Sequence, residues 1–133
     1  LDGLKSGRAR RINKQHQVFC RIHVEDIAGA CLHLIHMAAS GHAPPIVNVA
    51  DDEPTPSAEL LEFAAELLGC NLPAEESYAN ASQTMSAMGQ SFWSENRRVS
   101  NRLLCKELGY TLLHPNYRSG LQDCLKQEHH QNV

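Results

Sequence analysis

The sequence predicts an α/β fold in which short parallel strands alternate with amphipathic helices, and two stretches carry that expectation. In the first, Val18, Cys20, Ile22 and Val24 occupy every second position, the period of a strand with one face buried. The run passes without a linker into Ile27, Cys31, Leu34, Ile35 and Ala38, spaced by three and four as on one face of a helix. In the second, the apolar run Ile46-Val47-Asn48-Val49 precedes an acidic turn and another helical pattern. Strand, helix, strand, helix is the order expected when strands lie parallel and helices make the crossovers.

Taken in order, residues 1–12 hold Lys5, Arg8, Arg10 and Arg11 beside few apolar side chains. That suits the exposed last turns of a helix, where cations meet the negative end. A phosphate-binding patch is the sharper reading and a solvated helix end the plainer one. The first long helix follows Val24, with Glu25 or Asp26 expected to cap it because a carboxylate there accepts free N–H groups. Gly41, Pro44 and Pro45 stop it. Thr55 and Pro56 provide an N-cap and a favourable first helical residue for the second helix. Leu60, Leu61, Ala64, Leu67 and Leu68 line its inner face, and Gly69 is placed for a left-handed C-terminal cap.

Residues 70–90 read as a long polar loop, of a length that is uncommon unless functional or mobile. Ser100 can cap a helix containing Leu103, Leu104 and Leu108 that ends at Gly109, and residues 110–113 read as a short strand. Asn116 is placed to start a last helix with Leu121, Cys124 and Leu125 inward. Residues 1–128 are taken as one incomplete domain and 129–133 as a disordered tail.

A chain of 133 residues with 42% apolar and 20% charged residues has ordinary globular composition, enough for one modest core. It opens at Leu1, without Met, in what looks like the end of a helix, so it is read as a fragment. A net charge of -3 gives no field to gather nucleic acid or anionic lipid, so neither is expected as a partner. No apolar run approaches the roughly 20 residues that span a bilayer, and a cytoplasmic location is the expectation. The five cysteines are scattered with no C-x-x-C pair and read as reduced core thiols.

Few residues carry recognisable chemistry. Asp51, Asp52 and Glu53 are clustered carboxylates, but adjacent residues point in different directions, and acids before a helix already have an electrostatic reason to be there. His33 and His36 lie three apart on one helix without a visible third ligand, so no metal site is expected. No Gly-rich phosphate loop, Gly-x-Ser-x-Gly elbow or His-Glu-x-x-His appears, and no catalytic residue is assigned. The stretch from Ser91 to Asn101 holds the only Trp and two adjacent arginines, residue types that make good small-molecule contacts or, for Phe92 and Trp93, fill space under the long loop.

Three segments in register resemble the extended short-chain dehydrogenase/reductase family, in its NAD-dependent epimerase/dehydratase group. Residues 21–28, Arg-Ile-His-Val-Glu-Asp-Ile-Ala, look like its strand-to-helix signature of His-Val-x-Asp. Residues 47–54, Val-Asn-Val-Ala-Asp-Asp-Glu-Pro, are similar to its late strand and following helix start. Residues 101–110 are similar to its closing helix, which ends in Glu-Leu-Gly and an aromatic. The resemblance implies the C-terminal part of a Rossmann-type fold: a smaller substrate-side region beside a domain that binds NAD or NADP. The Gly-rich loop and the Tyr-x-x-x-Lys pair of the family would lie upstream of Leu1, so the cofactor would be held mainly by that missing part and the piece alone should not transfer hydride.

The departures narrow the substrate. Many nucleotide-sugar members place an Arg on the diphosphate where this chain has Phe19, and residues 85–91 lack a second Arg motif. Losing two charge-assisted phosphate contacts argues against a nucleotide-diphosphate sugar and toward a sugar-epimerase-like branch acting on a sugar-like or other small hydroxyl or carbonyl compound. Arg21, Phe92, Trp93 and Arg97 are the substrate-facing candidates. Arg21 stands on the outward face of its expected strand, where a salt bridge to a neighbouring acid would equally explain it; His23 shares that face, as a hydrogen-bonded structural histidine or a functional one. The parent is expected to be a possible homodimer through helices outside this piece. A catalytically inactive dinucleotide sensor or scaffold of the same fold is the alternative, and a free-standing interaction module a third.

Overall fold

A computed structural model describes residues 1–131, except for the side chains of His129 and Gln131. Its chain divides into two compact units, Leu1–Phe19 with Thr55–Arg98, and Cys20–Pro54 with Val99 onward. No helix among the described residues is long and apolar enough to cross a membrane.

The first unit contains α1 (Asp2–Lys5), β1 (Arg11–Asn13), α3 (Ser57–Leu68), β2 (Glu75–Ser77), α4 (Tyr78–Ala81), a 3-10 turn (Ser82–Thr84) and α5 (Ala87–Ser94). β1 and β2 pair in parallel, with Arg11 opposite Glu75, Ile12 opposite Glu76 and Asn13 opposite Ser77, and α3 packs against β1. A parallel pair with a helix in the connection is the expected kind of topology, built from unexpected segments. β1 falls where a helix end was anticipated, and β2, α4 and α5 occupy the stretch read as a loop. Glu-Glu-Ser has little intrinsic strand preference. The backbone ladder to β1 defines it instead, and at its solvent side Arg10 makes a two-pronged bond to Glu76 at 2.6 and 2.8 Å and Asn13 reaches Glu75 at 3.1 Å. Arg11 also bonds Glu62 of α3 through Nε at 3.0 Å, tying helix to sheet.

The two strands expected at 18–24 and 46–49 do not form. Phe19 makes an isolated antiparallel bridge with Thr55, closed by two backbone bonds of 3.1 Å, and the Arg21 carbonyl accepts from Asp51 N at 2.7 Å. The alternation does not sort the side chains either: Val18 is buried at 6% exposure but so is its neighbour Gln17, Val24 is 66% exposed, and a strand exists only where a neighbour supplies a ladder. The short strand expected at 110–113 is likewise irregular. Its Tyr110 N–H goes to the Leu104 carbonyl at 3.1 Å and its Leu113 N–H to a buried carboxylate at 2.7 Å.

The second unit contains α2 (Val24–Ala39), a π turn (Leu103–Glu107) and α6 (Tyr117–Gln131). The caps separate the right expectations from the wrong ones. Asn116 Oδ1 accepts from Arg118 N and Ser119 N at 3.1 and 3.2 Å, starting α6 as anticipated. Ser100 Oγ accepts from Arg102 N at 3.3 Å, and Gly69 and Gly109 take the left-handed conformation that ends their helices. In α2, however, the cap is His23, whose Nδ1 accepts from Glu25 N at 3.3 Å, and neither Glu25 nor Asp26 serves. α3 has Pro56 at its N-cap position, one residue after the expected cap Thr55, whose backbone bridges Phe19. α6 is helical through Gln131, into the segment read as a tail; Asn132 and Val133 lie outside the described residues.

The inner face of α2 is also not the one expected. Asp26 and Ala30 are buried, with His33, Leu34 and Met37 next most protected, whereas Ile27, Cys31 and Ile35 are exposed, Ile35 by 63%. Asp26 decides the orientation: its side chain, 0% exposed, accepts from Tyr110 Oη at 3.0 Å, Leu113 N at 2.7 Å and His114 N at 2.8 Å. Gly29 lets the tyrosine approach, since a Cβ there would stand 2.3 Å from the Tyr110 hydroxyl. Satisfying these donors outweighs the apolar stripe. All five cysteines are free thiols, Cys31 exposed and the other four half-buried, rather than core residues throughout.

Candidate functional site

In the first unit the tail of α5 and the irregular segment after it are stitched to residues 14–18. Lys14 Nζ donates to the Trp93 carbonyl, Gln17 Nε2 to the Glu95 carbonyl at 2.6 Å, and Val18 N to Asn96 Oδ1 at 3.0 Å. Asn96 Nδ2 completes the seam on the carbonyl of His16, which sits at φ 61° in the turn between them. The seam presents an aromatic wall. Trp93 stacks on Tyr78 with centroids 5.6 Å apart and meets Phe19 edge-on at 5.1 Å, and Lys14 Nζ lies 4.5 Å from the centre of the Tyr78 ring. Phe92, one residue before, is 67% exposed. Arg97 is exposed and pairs with Glu95 at 2.7 Å. Phe92, Trp93 and Arg97 therefore all belong to this unit, with Trp93 half packed in the wall and the other two open to solvent.

Arg21, the remaining candidate, belongs to the second unit. It is half-buried, and loss of hydration lowers its pKa while the charge of Asp51 opposes that shift. Asp51 is buried, and desolvation raises its pKa against the opposing pull of the Glu53 N–H bond and of Arg21. Arg21 and Asp51 thus attract one another electrostatically within this unit. The acidic triplet disperses as expected: Asp51 accepts from Glu53 N at 3.1 Å, Asp52 accepts from Asn101 Nδ2 at 2.7 Å, and Glu53 holds Arg118 through both oxygens at 2.9 Å. Three adjacent carboxylates with three different partners do not converge on one cation.

A cleft of about 290 Å³ in this unit is lined by Asp52, Asn101, Cys105, Lys106 and Tyr110 among others. Desolvation pushes the Cys105 thiol up, and desolvation together with the bond to Asp26 pushes the Tyr110 phenol up to about 12. Both groups keep their protons near neutral pH, which suits them to binding rather than proton transfer. The sequence reading missed Tyr110 as the partner of Asp26. The available signal was Asp26 itself, an acid one position away from an apolar stripe.

A second side-chain cluster in the same unit joins the start of α2 to α6. His23, 7% exposed in its side chain, lies with Nε2 3.7 Å from Asp123 Oδ2; His114 Nε2 lies 3.2 Å from Glu25 Oε2. The two imidazole rings are 4.0 Å apart, and one ligand atom from each of the four residues falls within 4.8 Å of every other. His33, by contrast, bonds the Leu108 carbonyl at 2.6 Å and forms no site with the exposed His36.

No protein-family model matches the chain. The 3-diazoavenalumate denitrifying reductase of a Streptomyces species is 30% identical over 100 residues, which are 75% of this chain and 32% of the reductase. A functionally unknown conserved protein from Silicibacter pomeroyi DSS superposes with a TM-score of 0.78 at 41% identity, covering 90% of this chain and 42% of that protein. The human epimerase family protein SDR39U1 (isoform 2), crystallised with NADPH, superposes with a TM-score of 0.75 at 20% identity over 93% of this chain and 41% of its own. The chain spans between a third and two-fifths of the length of these relatives. It shares the mixed α/β fold, with a small parallel sheet, of that part of an epimerase-family protein.

The starts of α2 and α6 do not form a cradle for a dinucleotide pyrophosphate. Such a cradle needs free N–H groups at a glycine-rich helix start. Here the first-turn N–H of Glu25 is taken by His23, and those of Arg118 and Ser119 by Asn116.

Proposed function

We propose that this chain is the substrate-side part of an NAD(P)-dependent reductase or epimerase, with the dinucleotide held by residues outside it and NAD and NADP both open as the cofactor. One observation carries the reading: 93% of the chain superposes on two-fifths of an epimerase-family protein whose structure holds NADPH. The 30% identity to a reductase agrees with it. The substrate is a sugar-like or other small hydroxyl or carbonyl compound. Phe92 and Trp93 offer an aromatic surface to its apolar face, and Arg97 a charge-assisted donor to its oxygens. Arg21, half-buried and in the electrostatic field of Asp51, is less open to a substrate than Phe92 or Arg97, which makes it the weakest of the four candidates.

The test is made on the intact protein that carries this chain. Titration with NADPH and NADH should show saturable binding of at least one, and carbonyl substrates should then oxidise it. Phe92→Ala and Arg97→Ala should raise KM by about tenfold, the equivalent of about 1.4 kcal/mol of lost contact, at unchanged dinucleotide affinity. Failure to bind either dinucleotide overturns the reading. Binding without turnover of any carbonyl compound would move it to the sensor class.

A further inference from the structure

We propose that His23, Glu25, His114 and Asp123 form a binding site for a divalent transition-metal ion of the zinc type, which fastens the start of α2 to α6. Tetrahedral coordination with N and O ligands at about 2.0–2.1 Å places ligand atoms roughly 3.3–3.4 Å from one another. Two of the contacts are already close to that spacing, His114 Nε2 to Glu25 Oε2 at 3.2 Å and His23 Nε2 to Asp123 Oδ2 at 3.7 Å. All four ligand atoms lie within 4.8 Å of one another, a spread that side-chain rotation is able to close. Two imidazoles with two carboxylates match zinc, cobalt or nickel, whereas calcium and magnesium take oxygen ligands.

The surroundings hold the ligands in place. The His114 backbone N–H is bound to Asp26, and its Nδ1 meets Ser119 Oγ at 2.9 Å, so a proton on Nδ1 leaves the Nε2 lone pair directed at Glu25. The Gln127 amide bonds Asp123 Oδ2 at 2.6 Å and Glu25 Oε1 at 3.3 Å, orienting both carboxylates. The His23 ring packs on α6 where Gly120 leaves room: a Cβ at that position would lie 3.1 Å from His23 Cδ2. Cys124 Sγ, 3.6 Å from His23 Nε2, is a soft donor within reach. Glu25 and Asp123 remain partly open to solvent, which gives an ion a path in.

His23 makes the proposal specific. A neutral imidazole carries one N–H, so a ring that accepts from Glu25 N at Nδ1 holds its proton on Nε2. Ligation through Nε2 moves that proton to Nδ1 and breaks the cap, exchanging a long 3.3 Å hydrogen bond for a metal bond. Metal binding should therefore switch the tautomer of His23, a change that ¹⁵N shifts of its ring read directly.

The experiment strips the intact protein that carries this chain with a chelator and titrates Zn²⁺ by competition against a chromophoric chelator, with Co²⁺ absorption as a second probe. One equivalent should bind with micromolar or tighter affinity, raise Tm, give intense tetrahedral Co²⁺ bands and switch the His23 tautomer. His114→Ala and Asp123→Ala should abolish binding, and Ser119→Ala should weaken it about 10-fold, as loss of an orienting partner does. His36→Ala and His130→Ala should have no effect. Glu25→Gln, at a partly exposed position, keeps the test open should either alanine variant fail to fold, and should weaken binding strongly. Absence of Zn²⁺ binding overturns the proposal, as does binding that survives His114→Ala and Glu25→Gln or disappears with His130→Ala.

Discussion

The two units use charge in opposite ways. In the first, charged groups meet at the surface: Arg10 with Glu76, and Arg11 with Glu62 and Glu75, while packing comes from the Trp93–Tyr78–Phe19 stack and small residues such as Ala64, Ala65 and Ala81. In the second, a carboxylate sits at the centre. Asp26 is as buried as Leu104, and an irregular segment, 110–114, is organised by bonds to it rather than by a strand ladder. Surface ion pairs stay hydrated and add little, whereas a buried acceptor serving several donors is expensive to remove. The first unit should therefore tolerate loss of its charges, and the second should not.

The largest effect expected is from Asp26→Ala, which strands two backbone N–H groups and a phenol and should destabilise the chain by about 3–5 kcal/mol. Amide exchange at Leu113 and His114 would locate the loss. Asp26→Asn, which keeps the volume and one acceptor, should be milder, and equal damage from both would mean that the charge matters more than the hydrogen bonds. Next comes Trp93→Ala, expected to cost about 2–3 kcal/mol because the ring is only half packed. Unfolding curves monitored by circular dichroism would measure it, since the substitution removes the only tryptophan.

Gly29→Ala should follow, at about 1–3 kcal/mol, because the new methyl meets the Tyr110 hydroxyl and the helix-favouring gain of alanine cannot offset the overlap. If the overlap is the cause, Gly29→Ala should do less harm in a Tyr110→Phe background, as a double-mutant cycle would show.

A pH dependence sharpens the contrast further. The folded pKa of Tyr110, about 12, lies above the ordinary value of about 10. The stability it contributes is full below the unfolded pKa and is lost as pH rises through the folded one. Unfolding midpoints should fall between about pH 10 and 12 in the wild type, and the Tyr110→Phe variant should lack that part of the decline. The smallest effect belongs to Arg10→Ala, whose exposed pair with Glu76 should leave the midpoint nearly unchanged and largely independent of salt. A marked salt-dependent loss there would erase the distinction between the units.

Legibility of the site followed the same division. Phe92, Trp93 and Arg97 stood out by residue type and share one unit, but the clasp of Lys14, Gln17 and Val18 on residues 93–96 spans nearly eighty positions and leaves no local pattern. The His23, Glu25, His114 and Asp123 cluster was invisible for the same reason. Its members lie on three separate stretches of chain, with none of the close spacing that marks a metal motif.

What the sequence determined by itself was local. Helices close through bonds four residues apart, so the positions of α2, α3 and α6 could be read from spacing, and the glycine ends at Gly69 and Gly109 and the Asn116 cap from local chemistry, though the N-caps of α2 and α3 could not. Adjacent carboxylates point apart for equally local reasons, as Asp51, Asp52 and Glu53 do. Only the tertiary structure decided which segments pair as strands and which face of α2 turns inward. A ladder between Arg11–Asn13 and Glu75–Ser77, and a carboxylate at Asp26 answering donors on residues 110–114, depend on partners more than sixty positions away, and no periodicity in either segment encodes the other.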